Sequence, residues 1–182
     1  WRGVVPSQLV VAADVLASTG TGEAGRVVRQ DRGWVQVATA DGIEPARTRQ
    51  DRVGTPVVGD WVVVADDEVA AVLERRNALR RADPVGEGEQ VLAANLDRVL
   101  VVLGLDRPMK AGRIQRAVAQ AWDADAEPVA VLTKADLVED PALTVAEVAA
   151  EHPGLDVVAV SSHTGAGLAE LRLPELQKGS SI

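Results

Sequence analysis

The chain has 182 residues, a formal net charge of −8 and no cysteine. These features exclude a disulfide framework and a thiolate metal site, and no apolar run is long enough to span a membrane. Hydrophobic residues make up 47% of the chain, but with four Trp and neither Phe nor Tyr the core must be built from Val, Leu and Ala. We therefore expect a cytoplasmic protein from a reducing compartment, without a membrane partner.

The negative charge is concentrated in the second half of the chain. Residues 24–83 contain as many arginines as acidic residues and no lysine, whereas acidic residues clearly outnumber basic ones in residues 84–182. This asymmetry predicts two units with different partners. The arginines leave the first unit able to bind a polyanion, because a guanidinium donates two parallel hydrogen bonds to phosphate or to a base.

Residues 25–83 predict a small β-barrel, and residues 1–24 remain an unassigned segment. "GRVVRQDRG" and "WVQVATADG" alternate apolar and polar residues, and Asp41-Gly42 is a strong hairpin signal. "PVVGDWVVVADDEVAAVLERR" adds two apolar runs around acidic residues. Five short strands of this kind fit an OB-like barrel best. An SH3-like barrel and a β-sandwich fragment with no binding role remain alternatives.

Residues 84–96 are predicted to be a linker, and the pattern changes at Asp97. "DRVLVVLGL", "EPVAVLTKADL" and "LDVVAVSSHTG" predict strands, the first two of them buried on both faces. "AGRIQRAVAQAWDA", "TVAEVAAEH" and "AGLAELR" predict helices, with Thr144 capping the second. Alternating strands and helices predict a doubly wound, mostly parallel α/β sheet over residues 97–182.

Two polar groups follow predicted strands of this sheet, at the edge where ligands bind in such folds. They are Thr133-Lys134-Ala135-Asp136 and Ser161-Ser162-His163. A carboxylate such as Asp136 accepts both the ring N1–H and the exocyclic amine of guanine, whereas adenine leaves it unpaired. Lys134 can lay its stem across the base or the ribose. The competing interpretation is a solvated helix start with an acidic residue near the helix N-terminus.

The T-K-A-D sequence is similar to the [NT]-K-x-D guanine motif of GTPases, and "VSSHTGAGL" is similar to their S-A-[KH] loop. Thr133 replaces the commoner Asn, and Ser162 replaces the commoner Ala. No GxxxxGK[ST] phosphate loop precedes Asp97. A barrel followed by guanine motifs resembles the circularly permuted ribosome-assembly GTPases, above all the ribosome small subunit-dependent GTPase A family. "PVVGDWV", "RRNALRRADP" and "QVLAANLDRVLVV" also resemble that family's barrel and linker.

The resemblance covers residues 25–172 and implies a permuted P-loop-type GTPase domain that binds GTP and GDP, with Mg²⁺ accompanying GTP. It implies GTP hydrolysis in late maturation of the small ribosomal subunit, stimulated by that subunit. The protein would be a monomer that docks on ribosomal RNA through its barrel, with Arg75-Arg76 and Arg80-Arg81 as candidate contacts. The implied nucleotide site consists of Thr133, Lys134, Asp136, Ser161, Ser162 and His163.

The resemblance also implies a phosphate loop, switch regions and a C-terminal zinc domain with Cys and His ligands, none of which this sequence contains. Lys178-Gly179-Ser180 has the wrong order for a phosphate loop. We expect that the sequence is part of a longer chain that carries these segments; the alternative is a protein that binds the base and hydrolyses nothing. No catalytic residue is assigned. The alternative function is a non-enzymatic RNA-binding barrel whose α/β half is a scaffold or an inactive nucleotide sensor.

Overall fold

The computed structural model describes residues 22–49, 54–82, 88–108 and 112–171. These residues form two compact units that divide between Leu96 and Asp97. Most of the unassigned N-terminal segment and the tail from residue 172 onward lie outside the described residues. None of the helices in the described ranges combines the length and the apolar character needed to cross a bilayer.

The first unit contains a closed barrel of five strands: β1 (Glu23–Asp31), β2 (Trp34–Ala38), β3 (Ile43–Arg47), β4 (Trp61–Ala65) and β5 (Glu68–Val72). Their order in the barrel is β1-β2-β3-β5-β4. In this barrel β1 pairs with both β2 and β4, and β3 runs parallel to β5. The predicted OB-like barrel is confirmed, and the β-sandwich fragment is excluded.

Small aliphatic side chains fill the barrel, as the shortage of aromatic residues predicts. The strand β1 reaches both of its neighbours because its register shifts between Val27 and Arg29, and an extra residue of this kind bends a strand. Alternate residues along each strand then point inward. The buried cluster consists of Val27, Val35, Val37, Ala46, Val62 and Val69.

An antiparallel hairpin of β6 (Ala78–Ala82) and β7 (Glu89–Ala94) completes the first unit. It is tied to the barrel by Asn95, whose Nδ2 donates to the carbonyl oxygen of Gly59 at 2.9 Å. Gly59 has a φ of 91°, and a Cβ there would lie 2.0 Å from the carbonyl oxygen of Ala94. The backbones therefore meet at a point that only glycine fits.

Because of this hairpin, residues 84–96 are not simply the linker that the sequence predicts. Part of that segment is the strand β7, and its partner β6 precedes the predicted linker. Residues 83–87 lie outside the described residues. The second unit begins immediately after the predicted linker, at Asp97.

The second unit is built on a parallel sheet of β8 (Arg98–Gly104), β9 (Glu127–Thr133) and β10 (Asp156–Val160), in the order β10-β9-β8. Its helices are α1 (Arg113–Asp123) and α2 (Pro141–Glu151). A short 3-10 helix, Ala135–Leu137, follows β9. The predicted parallel α/β architecture is confirmed.

Both described helices contribute to one hydrophobic cluster of this sheet. Ile114 of α1 and Val148 of α2 belong to the same buried cluster as Val101 and Leu132. The prediction that β8 is buried on both faces is wrong for the described residues: Leu100 is 45% exposed and Val102 is 59% exposed. The reason is that the buried side chains of β8 are Val101 and Leu103, which alternate with these two and join the helix-bearing cluster. Its neighbour β9 is buried on both faces, as predicted.

The start of α2 also differs from the prediction. The N-cap is Asp140, whose side chain accepts a hydrogen bond from the backbone N–H of Leu143. Pro141 occupies the first turn, where its fixed φ suits a helix start. Thr144 therefore lies inside the helix, and its hydroxyl donates to the carbonyl oxygen of Asp140 at 3.3 Å. The described part of the predicted third helix, residues 166–171, forms turns.

Candidate functional site

Two loops meet at the carboxyl edge of the parallel sheet. The first follows β9 and begins at Lys134, and the second follows β10 and begins at Ser161. The register pairs Val160 with Thr133, so the two neighbouring strands end side by side. The side chains predicted from the sequence are thereby brought to one edge.

The first loop starts with a backbone conformation that is unusual for a side chain as large as lysine. Lys134 has φ 61° and ψ 40°, in the left-handed region. Just before it, Thr133 ties β9 to β8, because its hydroxyl donates to the carbonyl oxygen of Leu103 at 3.2 Å. The 3-10 helix then carries Asp136 at the surface, beyond the buried Ala135.

Ser161 joins the second loop to the first. Its hydroxyl donates to Oδ1 of Asp136, and its Oγ accepts a hydrogen bond from the backbone N–H of Thr164 at 3.1 Å. The side chain is buried, with the residue only 1% exposed. The sequence places Ser161 in the implied nucleotide site without assigning it a contact, and the structure shows its hydroxyl donating to the carboxylate of Asp136.

Close backbone contacts hold the second loop in place. The N–H of Ser161 donates to the carbonyl oxygen of Ala166, and the N–H of Gly165 donates to that of Ser161, both at 2.9 Å. Gly167 has a φ of 71°, and a Cβ there would lie 2.0 Å from the carbonyl oxygen of Ala159. The glycine thus lets the loop fold back against β10, which fixes the position of Ser161.

The electrostatics of Asp136 keep this carboxylate ionised. The hydrogen bond from Ser161 lowers the pKa of Asp136 from its ordinary value, and the electrostatic interactions of Asp136 with nearby His163 and Lys134 act in the same direction. Ser161 occupies only one of the acceptor positions of the carboxylate. The remaining positions can accept hydrogen bonds from a ligand with adjacent N–H groups.

Asp106 is a neighbour of these loops that the sequence did not reveal. It lies two residues after the end of β8, and its Oδ2 accepts a hydrogen bond from Nζ of Lys134 at 2.6 Å. This contact is the main cause that lowers the pKa of Asp106. The sequence signal that could have indicated Asp106 is its position just after a predicted strand. Parallel strands that are neighbours place the residues that follow them at the same edge of the sheet.

Ser162 and His163 complete the predicted set, and both are exposed at the start of the second loop. The structure thus brings together Thr133, Lys134, Asp136 and Ser161 through direct contacts or adjacent strand ends. Ser162 and His163 follow on the same loop. The arrangement offers an oriented carboxylate, a lysine held by a counter-ion, and the backbone of a tight loop. These groups suit recognition of a planar base that carries neighbouring donors.

The described residues contain no group of three or more His, Cys, Asp or Glu side chains placed to hold a metal ion. The whole sequence lacks cysteine. Zinc is therefore placed on none of the described residues. Mg²⁺, which P-loop GTPases hold through the phosphate loop and the nucleotide phosphates, is assigned to none of them either.

The arginine pairs near the end of the barrel have different surroundings. Arg75 forms a bidentate ion pair with Asp60, with Nε to Oδ1 and Nη2 to Oδ2 both at 2.7 Å. The Asp60 side chain is fully buried. Arg75 is thus part of the structure of the barrel, whereas Arg76, Arg80 and Arg81 are exposed.

Two curated relatives of this chain carry the same description. "Small ribosomal subunit biogenesis GTPase RsgA" from Streptomyces coelicolor is 42% identical over 156 residues, covering 79% of this chain and 43% of that protein. The protein of the same description from Streptomyces avermitilis is 40% identical over 171 residues, covering 87% of this chain and 46% of that protein. The chain therefore spans less than half the length of these two relatives.

The fold is also found among solved structures. The crystal structure of YjeQ from Thermotoga maritima matches with a TM-score of 0.63 and 24% identity, over 87% of this chain and 58% of that one. This likeness supports the fold. The family model for the RsgA GTPase matches residues 72–182, which is more than half of the chain. The chain therefore belongs to the RsgA GTPase family.

Proposed function

We propose that this chain binds guanine nucleotides through the two loops that follow β9 and β10. The observation that carries the proposal is the hydrogen bond by which buried Ser161 orients the ionised carboxylate of Asp136. The Ser161 hydroxyl occupies one acceptor position of the Asp136 carboxylate. The other acceptor positions of this carboxylate are left for a ligand.

In this proposal Asp136 reads the base. One carboxylate accepts the N1–H and the exocyclic amine of guanine together, while adenine offers no such donor pair. Lys134 packs its stem against the base, and Thr133 holds the loop to β8. The N–H of Ser161 already donates to Ala166, so the backbone N–H groups that follow it, those of Ser162 and His163, donate to the guanine carbonyl oxygen. The His163 side chain flanks the pocket. The bound species are GTP and GDP.

The wider activity follows from family membership and from the descriptions of the relatives. We infer that the protein hydrolyses GTP during maturation of the small ribosomal subunit, in the cytoplasm and as a monomer. Exposed Arg76, Arg80 and Arg81 are the arginines proposed to contact ribosomal RNA. The sequence has no GxxxxGK[ST] motif, so phosphate binding and hydrolysis are assigned to none of its residues.

The test is the variant Asp136→Asn, measured by calorimetric titration with GDP and with xanthosine diphosphate. Asn loses one acceptor and gains a donor, which suits the additional carbonyl of xanthine. Because hydrogen bonds to charged groups are worth about 1.5–3 kcal/mol each, GDP affinity should fall about a hundredfold or more. Xanthosine diphosphate should become the preferred ligand.

Glu139→Gln is the matched control, since Glu139 is an exposed carboxylate three residues further along the same loop. It should leave both affinities unchanged. Equal GDP affinity in the parent and in Asp136→Asn would show that this carboxylate does not read the base. The alternative of a non-enzymatic RNA-binding barrel predicts RNA binding that does not respond to nucleotide.

A further inference from the structure

Lys134 is paired across the carboxyl edge of the sheet with a residue from a third strand end. Its Nζ lies 2.6 Å from Oδ2 of Asp106, which follows β8, and the Arg107 guanidinium lies 3.6 Å from the same oxygen. The two partners are 28 positions apart in the sequence. The Lys134 stem therefore runs from the end of β9 towards the end of β8.

The position of Asp106 is set by the local backbone. Leu105 donates its N–H to the carbonyl oxygen of Thr133 at 2.9 Å, which extends the pairing of β8 with β9 by one residue. Gly104 leaves room for the carboxylate, because a Cβ at this position would lie 2.5 Å from Oδ1 of Asp106. Asp106 is thus anchored before any ligand binds.

An unpaired lysine side chain loses considerable rotamer freedom when a ligand orders it. An ion pair that already exists in the free protein removes part of this loss, and preorganisation of this kind raises affinity. An ammonium group has three donors, so the contact with Asp106 leaves two for a ligand or for water. Lys134 remains accessible, with its side chain 51% exposed.

We propose that Asp106 is a positioning residue for the guanine pocket: it holds Lys134 in place and so raises affinity for guanine nucleotides without discriminating between bases. This inference rests on the proposed function. Asp106 acts only through Lys134, and Asp136 remains the group that reads the base.

The experiment compares Asp106→Asn, Asp106→Glu and Lys134→Met in the full chain, titrated with GDP and with xanthosine diphosphate. Exposed ion pairs contribute modestly, so Asp106→Asn should weaken GDP binding about two- to fivefold. The ratio of GDP to xanthosine diphosphate affinity should stay at the parental value. Asp106→Glu, which keeps the charge, should recover part of the loss.

Coupling separates a positioning role from a general structural one. In the Lys134→Met background, Asp106→Asn should have no further effect on GDP affinity, since the interaction is already absent. High salt should reduce the difference in GDP affinity between the parent and Asp106→Asn, because salt screens the exposed ion pair of Asp106 with Lys134. Asp156→Asn is the matched control, an exposed aspartate at the start of β10 and thus at the opposite edge of the sheet.

Two results would overturn the inference: parental GDP affinity in Asp106→Asn, or an equal loss in the parental and Lys134→Met backgrounds. The proposed function fails separately, if Asp136→Asn does not change base preference. A parent chain that binds no GDP would overturn both.

Discussion

The ion pair between Arg75 and Asp60 should be the most costly single polar contact to break in the barrel. Asp60 has a fully buried side chain, and its carboxylate also accepts the N–H of Val57 at 2.8 Å. The Asp60 contact raises the pKa of Arg75 above its ordinary value. Replacing Arg75 with Met keeps an unbranched stem but leaves the buried carboxylate without its cation.

The expected cost follows from this burial. Removing one partner of a buried pair destabilises a protein by about 3–5 kcal/mol, and the 27% exposure of the Arg75 side chain places the value near the lower end. Arg49→Met is the matched control, since the pair of Arg49 with Glu68 has side-chain exposures of 50% and 30%. Its loss should cost about 0.2–1 kcal/mol.

The assay is native-state hydrogen exchange of the backbone amides in β1 and β4, which reports the free energy of opening of the barrel alone. Arg75→Met should lower that free energy by about 3 kcal/mol, and Arg49→Met by less than about 1 kcal/mol. If the two variants had equal effects, the buried pair would not stabilise the barrel as inferred.

Two further predictions concern a backbone contact and the response to acid. Gly59→Ala should destabilise the first unit by about 3 kcal/mol in urea unfolding, because the new Cβ would meet the carbonyl oxygen of Ala94. The control is Gly33→Ala, which also lies at positive φ but has open space around it. It should cost only about 1 kcal/mol. The lowered pKa values of Asp106 and Asp136 give stability that is present above their ordinary value of 3.8 and is lost as pH falls through the folded-state values. Thermal unfolding at pH 5 and pH 3 should therefore show a smaller loss of stability in a variant with Asn at both positions, and equal losses in that variant and the parent would contradict this assignment.

Local sequence patterns predicted the strands, from their alternating or continuous apolar residues, and the polar loops that follow them. Alternation and the Asp41-Gly42 turn indicated the barrel, and the buried runs before Thr133 and Ser161 indicated parallel strands. The parallel register then explains why the two loops lie together. These features depend on short-range patterning, which a single sequence records directly.

Features set by long-range contacts were not predicted. Asp106 meets Lys134 only because β8 and β9 end in register, and the position of Asp106 just after a predicted strand does not by itself identify Lys134 as its partner. The strand β7 depends on its pairing with β6 and on the contact of Asn95 with the Gly59 carbonyl. The helix cap at Asp140 was missed for a different reason: two capping residues compete there, and Pro141 decides between them.

The most direct test of the guanine pocket is an amide NMR titration of the full chain with GDP and, in parallel, with ADP. GDP should shift the amide signals of residues 134–136 and 161–166, while the barrel strands stay unchanged. ADP at the same concentrations should leave both loops unchanged, because adenine has no donor pair for Asp136. The absence of GDP-induced shifts in these loops, or equal shifts with ADP, would contradict the assignment.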